Sequence, residues 1–329
     1  MGFCASTPRD LCLAPMQGIT DALFRAAYVR HFGGLDRAVA PFVSTVHAAR
    51  VKPSLLADLL PAANAGLPVV PQVLGKDPGD LAVMLRALME LGYRAADLNA
   101  GCPWPMVARK GRGAGLLADP DRLRRMLDAG CGLLPGAFSI KVRLGLATPD
   151  LLLQRMDILN AYPLREVTIH PRTARQMYAG SVDLAAFAAC LAVCRHPVAY
   201  SGDLRTVADG ACLAARFPSV ARWVLGRGLL ADPWLPARLR GDRAPRDPAR
   251  LRALLDDLLA GACGRGHGDR PVLGRLKEYW AYLGPSFAGG DRLLRRIRLC
   301  QRVEEYRRVV DEQFVQRPEW VEAADGLQE

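Results

Sequence analysis

Cys102 stands in the run Asp97-Leu98-Asn99-Ala100-Gly101-Cys102-Pro103. Gly101 and Pro103 flank the thiol with the two strongest backbone punctuators, so the run reads as a buried strand ending in a sharp turn. A thiol raised on such a turn, at the rim of a scaffold, can donate a proton or attack. The alternative is a small buried hydrophobe, which is what most free cysteines are. Other residues of chemical interest follow the same layout. Gln72 lies in Val69 to Leu74, Lys141 and Arg143 in or just after Phe138 to Val142, His170 at the end of Val167 to His170, and Arg227 in Gly226-Arg227-Gly228.

Those positions are explained by a recurring event, an apolar strand ending in a polar or glycine-containing turn. It occurs at Leu11 to Ala14, Ala38 to Phe42, Val69 to Leu74, Ala95 to Asn99, Phe138 to Val142, Val167 to His170, Val198 to Tyr200 and Trp223 to Leu225. Between them lie helix-length segments, such as Asp80 to Leu91 and Asp121 to Ala129, with apolar residues at three- and four-residue spacing. Eight strand-helix units in this length predict an α/β fold, a (β/α)8 TIM barrel, whose active site sits at the carboxyl ends of the strands. Cys102, Gln72, Lys141, His170 and Arg227 then converge on one mouth.

The chain has 329 residues, beyond the size at which one core stops growing, so a second, smaller unit is expected. The break falls near Leu239 to Pro248, giving residues 1–240 as barrel and 241–329 as an all-helical domain. Leu251 to Ala262, Leu273 to Leu283, Asp291 to Phe314 and a short tail at Trp320 read as helices. Nine cysteines, an odd number, argue for free thiols in a reducing compartment. Cys190 and Cys194 share a helical face without the spacing of a zinc site, so no metal is expected. No apolar stretch reaches membrane-spanning length, and no signal peptide is visible. Met1-Gly2-Phe3-Cys4-Ala5-Ser6 matches a myristoylation pattern by accident, since the first strand follows too closely. A cytoplasmic monomer without membrane attachment is expected.

A formal charge of +11 points to a polyanionic partner. Arg109-Lys110-Gly111-Arg112-Gly113 reads as a flexible basic loop overhanging the mouth. Arg275, Tyr279 and Tyr282 fall at i, i+4 and i+7, with Lys277 close by and Arg295, Arg296, Arg298 and Arg302 beyond. Basic groups interleaved with aromatics suit RNA, although each arginine alone reads as a solvated surface residue.

At this point the chain resembles the tRNA-dihydrouridine synthases. The resemblance is carried by Ala14-Pro15-Met16-Gln17-Gly18, Gln72-Val73-Leu74-Gly75, Leu98-Asn99-Ala100-Gly101-Cys102-Pro103, Lys141-Val142-Arg143, His170-Pro171-Arg172-Thr173, Gly226-Arg227-Gly228 and Arg275-Leu276-Lys277-Glu278-Tyr279-Trp280. It implies an FMN enzyme that reduces a D-loop uridine of tRNA to 5,6-dihydrouridine with NADPH as reductant, closest to the position-16 branch. Cys102 would donate the proton to C5. Pro15, Met16, Gln17, Gln72, Lys141 and His170 would contact the flavin. Backbone groups at Ser201-Gly202-Asp203 and Gly226-Arg227 would hold its phosphate, with Ser201 standing where the family usually has asparagine. Asn99 would hydrogen-bond the uracil, and Tyr178, Arg275, Lys277, Tyr282 and Arg298 would meet the RNA. Two other readings are a barrel flavoenzyme acting on a free small molecule, as in the dihydroorotate dehydrogenases, and a non-catalytic RNA-binding barrel.

Overall fold

A computed structural model describes residues 10–266, 268–316 and 319–321; the amino-terminal Met1 to Ser6 pattern lies outside them. Ten strands form one parallel sheet: β1 Asp10–Leu13, β2 Arg37–Val39, β3 Val43–Ser44, β4 Val69–Val70, β5 Gln72–Leu74, β6 Ala96–Ala100, β7 Phe138–Gly145, β8 Val167–Thr173, β9 Val198–Tyr200 and β10 Arg222–Leu225. Their order is β3-β5-β6-β7-β8-β9-β10-β1-β2-β4. The two ends of that order belong together. β2 and β3 are one extended stretch interrupted around Pro41, and β4 and β5 are one stretch interrupted at Pro71. Ala38 pairs with Val69 and Val43 with Val73, so the same two stretches pair on both sides of the prolines, with a one-residue register shift between. Proline has no N–H for the ladder, which is why each stretch splits there. The sheet therefore closes into eight staves, matching the eight units read from the sequence.

Outer helices begin on a repeated local signal. Asp77, Asp119 and Asp247 each precede a proline and accept a hydrogen bond from the backbone of Asp80, Arg122 and Ala249, capping the helices Pro78–Glu90, Pro120–Leu133 and Pro248–Gly264. The aspartate satisfies an orphan N–H, and the proline, which lacks one, fits the first turn. At the amino-terminal end of the barrel, Asp10 accepts hydrogen bonds from Arg37 (2.6 Å) and Arg222 (2.9 Å), and Arg222 also pairs with Glu166. Inside, small side chains of Cys12, Ala14, Ala199 and Val224 pack together with Met16 and Val39.

After Leu239 the chain carries helices Pro248–Gly264, Asp269–Leu283, Gly290–Leu299 and Val303–Val315. The expected single helix from Asp291 to Phe314 is broken at Cys300–Arg302, where Lys277 intrudes on the backbone. Trp320 is not helical; it forms an antiparallel bridge with Phe287. The helical segment shares one core with the barrel: the rings of Phe24 and Tyr279 are 5.8 Å apart, and those of Trp234 and Trp320 are 5.5 Å apart.

Candidate active site

The carboxyl ends of the strands surround a ring-sized cavity of about 230 Å³, lined by Pro15, Met16, Gln17, Asn99, Cys102, Lys141, Arg143, His170, Tyr178, Glu278 and Tyr282, among others. Gln17 and Phe42 also border a wider adjoining cleft of about 970 Å³. Residues far apart in the sequence, from β1 through the helix Asp269–Leu283, thus meet as the barrel reading expects.

Cys102 is held from beneath and behind. Its N–H donates to Asn99 Oδ1 at 2.8 Å, and its carbonyl accepts from Ala114 N–H at 3.1 Å. Gly113 is indispensable to this arrangement. It adopts φ +54, and a Cβ there would lie 2.8 Å from both the Cβ and the carbonyl oxygen of Cys102. The expected loop Arg109 to Gly113 is a turn with Arg109 and Lys110 exposed; it lies between the helical turn Pro105–Ala108 and the 3-10 helix Gly113–Ala118, whose residues Gly113 to Leu117 are buried against the thiol. Burial pushes the Cys102 thiol above its ordinary pKa, so it carries its proton at neutral pH.

Opposing charge logic governs the cationic wall. Burial, assisted by Arg143, lowers the Lys141 ammonium to about 8. His170 is driven well below its usual range by burial and then by Arg143, Lys141, Arg172 and Arg227, so its imidazole is neutral. Four cations gathered around one neutral ring suit a bound group carrying delocalised negative charge and a phosphate. Arg143 also donates to the carbonyls of Thr173 (2.9 Å) and Met177 (2.6 Å), pinning the segment after β8, in which Met177 takes a positive φ of 52. Tyr178 follows, half exposed, with the guanidinium carbons of Arg143 and Arg227 each 5.2 Å from its ring centroid.

Several expected contacts are engaged elsewhere. Gln72 is fully buried and does not line the cavity. Its amide donates to Asp97 (2.7 Å) and accepts from Asn99 (2.8 Å), leaving one N–H for any ligand. Asn99 faces the cavity but already uses its carbonyl oxygen on Gly101 and Cys102 and one N–H on Gln72, so a single N–H remains for a base. Ser201 N–H donates to Ile169 in the barrel ladder. Asp203 pairs with Arg172 and Arg227; burial opposes its charge, but the hydrogen bond from Arg172 and these guanidiniums hold the carboxyl below its ordinary range. Behind Gly202 and Asp203, the hydroxyl of Tyr200 and Nε of Arg172 are buried without hydrogen-bond partners. A Cβ on Gly202 would collide with that Tyr200 hydroxyl at 2.3 Å, and one on Gly226 would press on Ala14 and Met16 at 3.4 Å.

The expected RNA contacts divide. Tyr178 and Tyr282 line the cavity, and Arg298 is exposed. Arg275 and Lys277 are also engaged within the protein. Arg275 pairs with Asp21, the cap of the helix Ala22–His31, and Lys277 Nζ donates to the carbonyls of Arg298 (2.9 Å) and Cys300 (2.6 Å), capping the helix Gly290–Leu299. Tyr279, expected beside them on one face, is buried. Arg143, Glu278 and Trp104 join the site in addition to the expected residues. Arg143 carries a signal in the sequence, the alternate-residue spacing from Lys141 that puts both on one side of β7. Trp104 carries another, an aromatic between Pro103 and Pro105; it is 61% exposed while lining the cavity beside Cys102. Among the described residues no cluster suited to a metal ion occurs, and no helix is long and apolar enough to cross a membrane.

Known structures reproduce the architecture at low sequence identity, and so speak to the fold alone. Morphinone reductase in complex with tetrahydroNAD superposes with TM-score 0.52 and 11% identity, over 73% of this chain and 88% of that one. The old yellow enzyme homologue from Zymomonas mobilis gives TM-score 0.53 and 11% identity, over 75% and 93%. Sequence relatives are nearer. A tRNA-dihydrouridine(16) synthase of Cupriavidus necator is 32% identical over 316 residues, covering 92% of this chain and 96% of its own length. A probable tRNA-dihydrouridine synthase of Rhodobacter capsulatus is 32% identical over 242 residues, covering 72% and 74%. With the family model described as dihydrouridine synthase (Dus) matching residues 12–254, and the thiol, lysine and histidine of the resemblance meeting in one cavity, the chain belongs to the dihydrouridine synthase family.

Proposed function

We propose that this protein reduces a uridine of the tRNA D-loop, at position 16, to 5,6-dihydrouridine, with FMN as cofactor and NADPH as reductant. The observation that carries the reading is the meeting of Cys102 and Lys141 across one cavity at the carboxyl ends of the strands. The residues present fit a flavin. Lys141 and the surrounding guanidiniums complement an anionic reduced ring, Pro15, Met16 and Gln17 offer backbone and amide groups along one wall, and the glycines at 202 and 226 with Arg227 leave room for a phosphate. When bound, the flavin supplies the hydride taken up at C6 of the base.

This chain's own residues do the rest. Cys102, protonated at neutral pH, delivers a proton to C5 from the side of the base that its turn faces. The free N–H of Asn99 holds the uracil edge. Tyr178, Tyr282 and Trp104 offer rings at the rim for unstacked bases, and the exposed Arg298 offers a phosphate contact. Extruding a uridine costs a few kcal/mol, offset by these contacts. The position-16 assignment follows the names of the relatives that match along nearly the whole chain. Residues 1–240 serve as the catalytic part and 241–329 as the tRNA-binding part, in a cytoplasmic, monomeric protein.

The test is Cys102→Ala. It should retain flavin and tRNA binding while dihydrouridine formation falls by roughly 100-fold or more. Dihydrouridine formed at the normal rate by the variant would remove the thiol from the reaction, and failure of the intact protein to modify any tRNA would remove the substrate.

A further inference from the structure

The hydrogen bonds beneath the Cys102 turn all run one way. The N–H groups of Gly101 and Cys102 donate to Asn99 Oδ1 (3.1 and 2.8 Å), Asn99 Nδ2 donates to Gln72 Oε1 (2.8 Å), and Gln72 Nε2 donates to Asp97 Oδ2 (2.7 Å). Ser139 Oγ donates to the other oxygen of Asp97 at 2.7 Å. The chain follows the barrel register, since Gln72 pairs with Asp97 across β5 and β6, and Asp97 with Ser139 across β6 and β7. Gln72, Asp97 and Ser139 are buried behind the cavity wall, and only Asn99 reaches the cavity, so a misdirected bond between Gln72 and Asp97 is costly.

Shape alone does not set this direction. A side-chain amide turned end for end occupies almost the same space, with donor and acceptor exchanged. Asp97 is the one side chain of the network that cannot be reversed, because an ionised carboxylate only accepts, and the backbone N–H groups of Gly101 and Cys102, which only donate, set the same direction from the other end. Turning Gln72 over would set its oxygen against that carboxylate. Asn99 would then face an N–H group with its own N–H groups unless it turned as well, and turning would point N–H groups at the backbone N–H of Gly101 and Cys102. We propose that Asp97 is a positioning residue of the reaction, its carboxylate closing the Gln72–Asn99 amide chain in the direction that the backbone N–H groups of Gly101 and Cys102 require, and thereby holding the seat of the Cys102 thiol. Burial raises the Asp97 carboxyl to about 6, against the opposing pull of Ser139, Gln72 and Lys141, which leaves it mostly ionised at neutral pH. The role rests on the proposed dihydrouridine chemistry for its kinetic readout only.

Isosteric exchange of oxygen and nitrogen tests it. Gln72→Glu places two carboxyl groups face to face with no N–H between them; they repel when both are ionised and otherwise must take up and share a proton, so the loss should deepen as pH rises. Adding Asp97→Asn restores a donor, while the carboxylate introduced at position 72 still accepts from Asn99. With the flavin-loaded full-length protein and tRNA, Gln72→Glu should lower kcat by about 10- to 100-fold at unchanged KM for tRNA, the scale of a small misplacement of a reacting group. The double variant should recover to within about threefold of the parent, since it leaves no donor or acceptor of the chain unmatched. Iodoacetamide labelling of Cys102, followed by peptide mass spectrometry, needs neither flavin nor tRNA. Labelling should accelerate in Gln72→Glu as the turn loosens, and return to the parental rate in the double variant. Asp97→Asn alone introduces no buried charge and can present either amide end to Gln72, so its labelling rate should fall between the two. A double variant no better than Gln72→Glu would overturn the proposal and leave Gln72 as a direct ligand contact. Parental labelling in Asp97→Asn would also overturn it. An unreactive parent with tRNA would instead strike the proposed function, with the labelling comparison still deciding the role of Asp97.

Discussion

Lys141 ties the chemistry of the cavity to pH. Burial holds its ammonium near 8 instead of the ordinary 10.5. The unfolded chain therefore binds more protons than the native one between those values, so this residue's contribution to stability rises with pH across that window and is lost as pH falls through about 8. Function runs the other way, because the cation that complements an anionic ring disappears as pH rises through about 8. We expect the reductive rate to decline on its alkaline side near pH 8, with the melting temperature showing no parallel loss from this group. A Lys141→Met variant should be slow at all pH values and lack that limb; an unaltered limb in the variant would assign it to another group. At this scale the sequence was legible where a residue's chemistry is local. Cys102 could be read because Gly101 and Pro103 flank it. The hold exerted by Asp97 and Gln72 could not, because it depends on the register of β5, β6 and β7, which joins residues 25 and 42 positions apart.

At the scale of elements, strand positions were readable from short apolar runs with turn residues at their ends, and helix starts from aspartate before proline. The interruptions at Pro41 and Pro71 are a local effect, yet their consequence, a register shift between two staves, depends on both falling beside each other. The carboxyl-terminal helices were less legible. The run from Asp291 to Phe314 has helical spacing throughout, but it bends at Cys300–Arg302, where Lys277 from another helix takes the free carbonyls. We expect Lys277→Met to destabilise the protein by about 1.5–3 kcal/mol, the usual worth of a hydrogen bond from a charged donor, measured as a shift in denaturant midpoint. Its tRNA affinity should keep the parental salt slope, whereas Arg298→Gln should lower that slope by about one unit with little change in stability. The reverse pattern would return Lys277 to the RNA surface.

Across the whole molecule, barrel and helices are joined by more than a linker. Arg30 and His31 in the helix Ala22–His31 both reach Asp257 at 2.7 Å. Aromatic contacts continue the connection through Phe32, Trp234 and Trp320. A single cooperative thermal transition is therefore expected, and a chain ending at residue 240 should aggregate because it uncovers Phe24, Phe32 and Trp234. Two resolved transitions in calorimetry would contradict the shared core. The shared core was not legible in the sequence, since the faces of helices that pack on the barrel look the same in a sequence as faces that pack on one another.

The ring of Tyr178 lies within reach of two guanidiniums carried by different staves, Arg143 from β7 and Arg227 from just beyond β10. Electron-rich aromatic density between like charges screens them from each other and gives both a favourable partner. Removing the ring would leave the two cations in mutual repulsion, and removing either cation would free the ring to swing. The three positions are therefore energetically coupled, and the combined loss from replacing Tyr178 and Arg143 should differ from the sum of the two single losses in a double-mutant cycle.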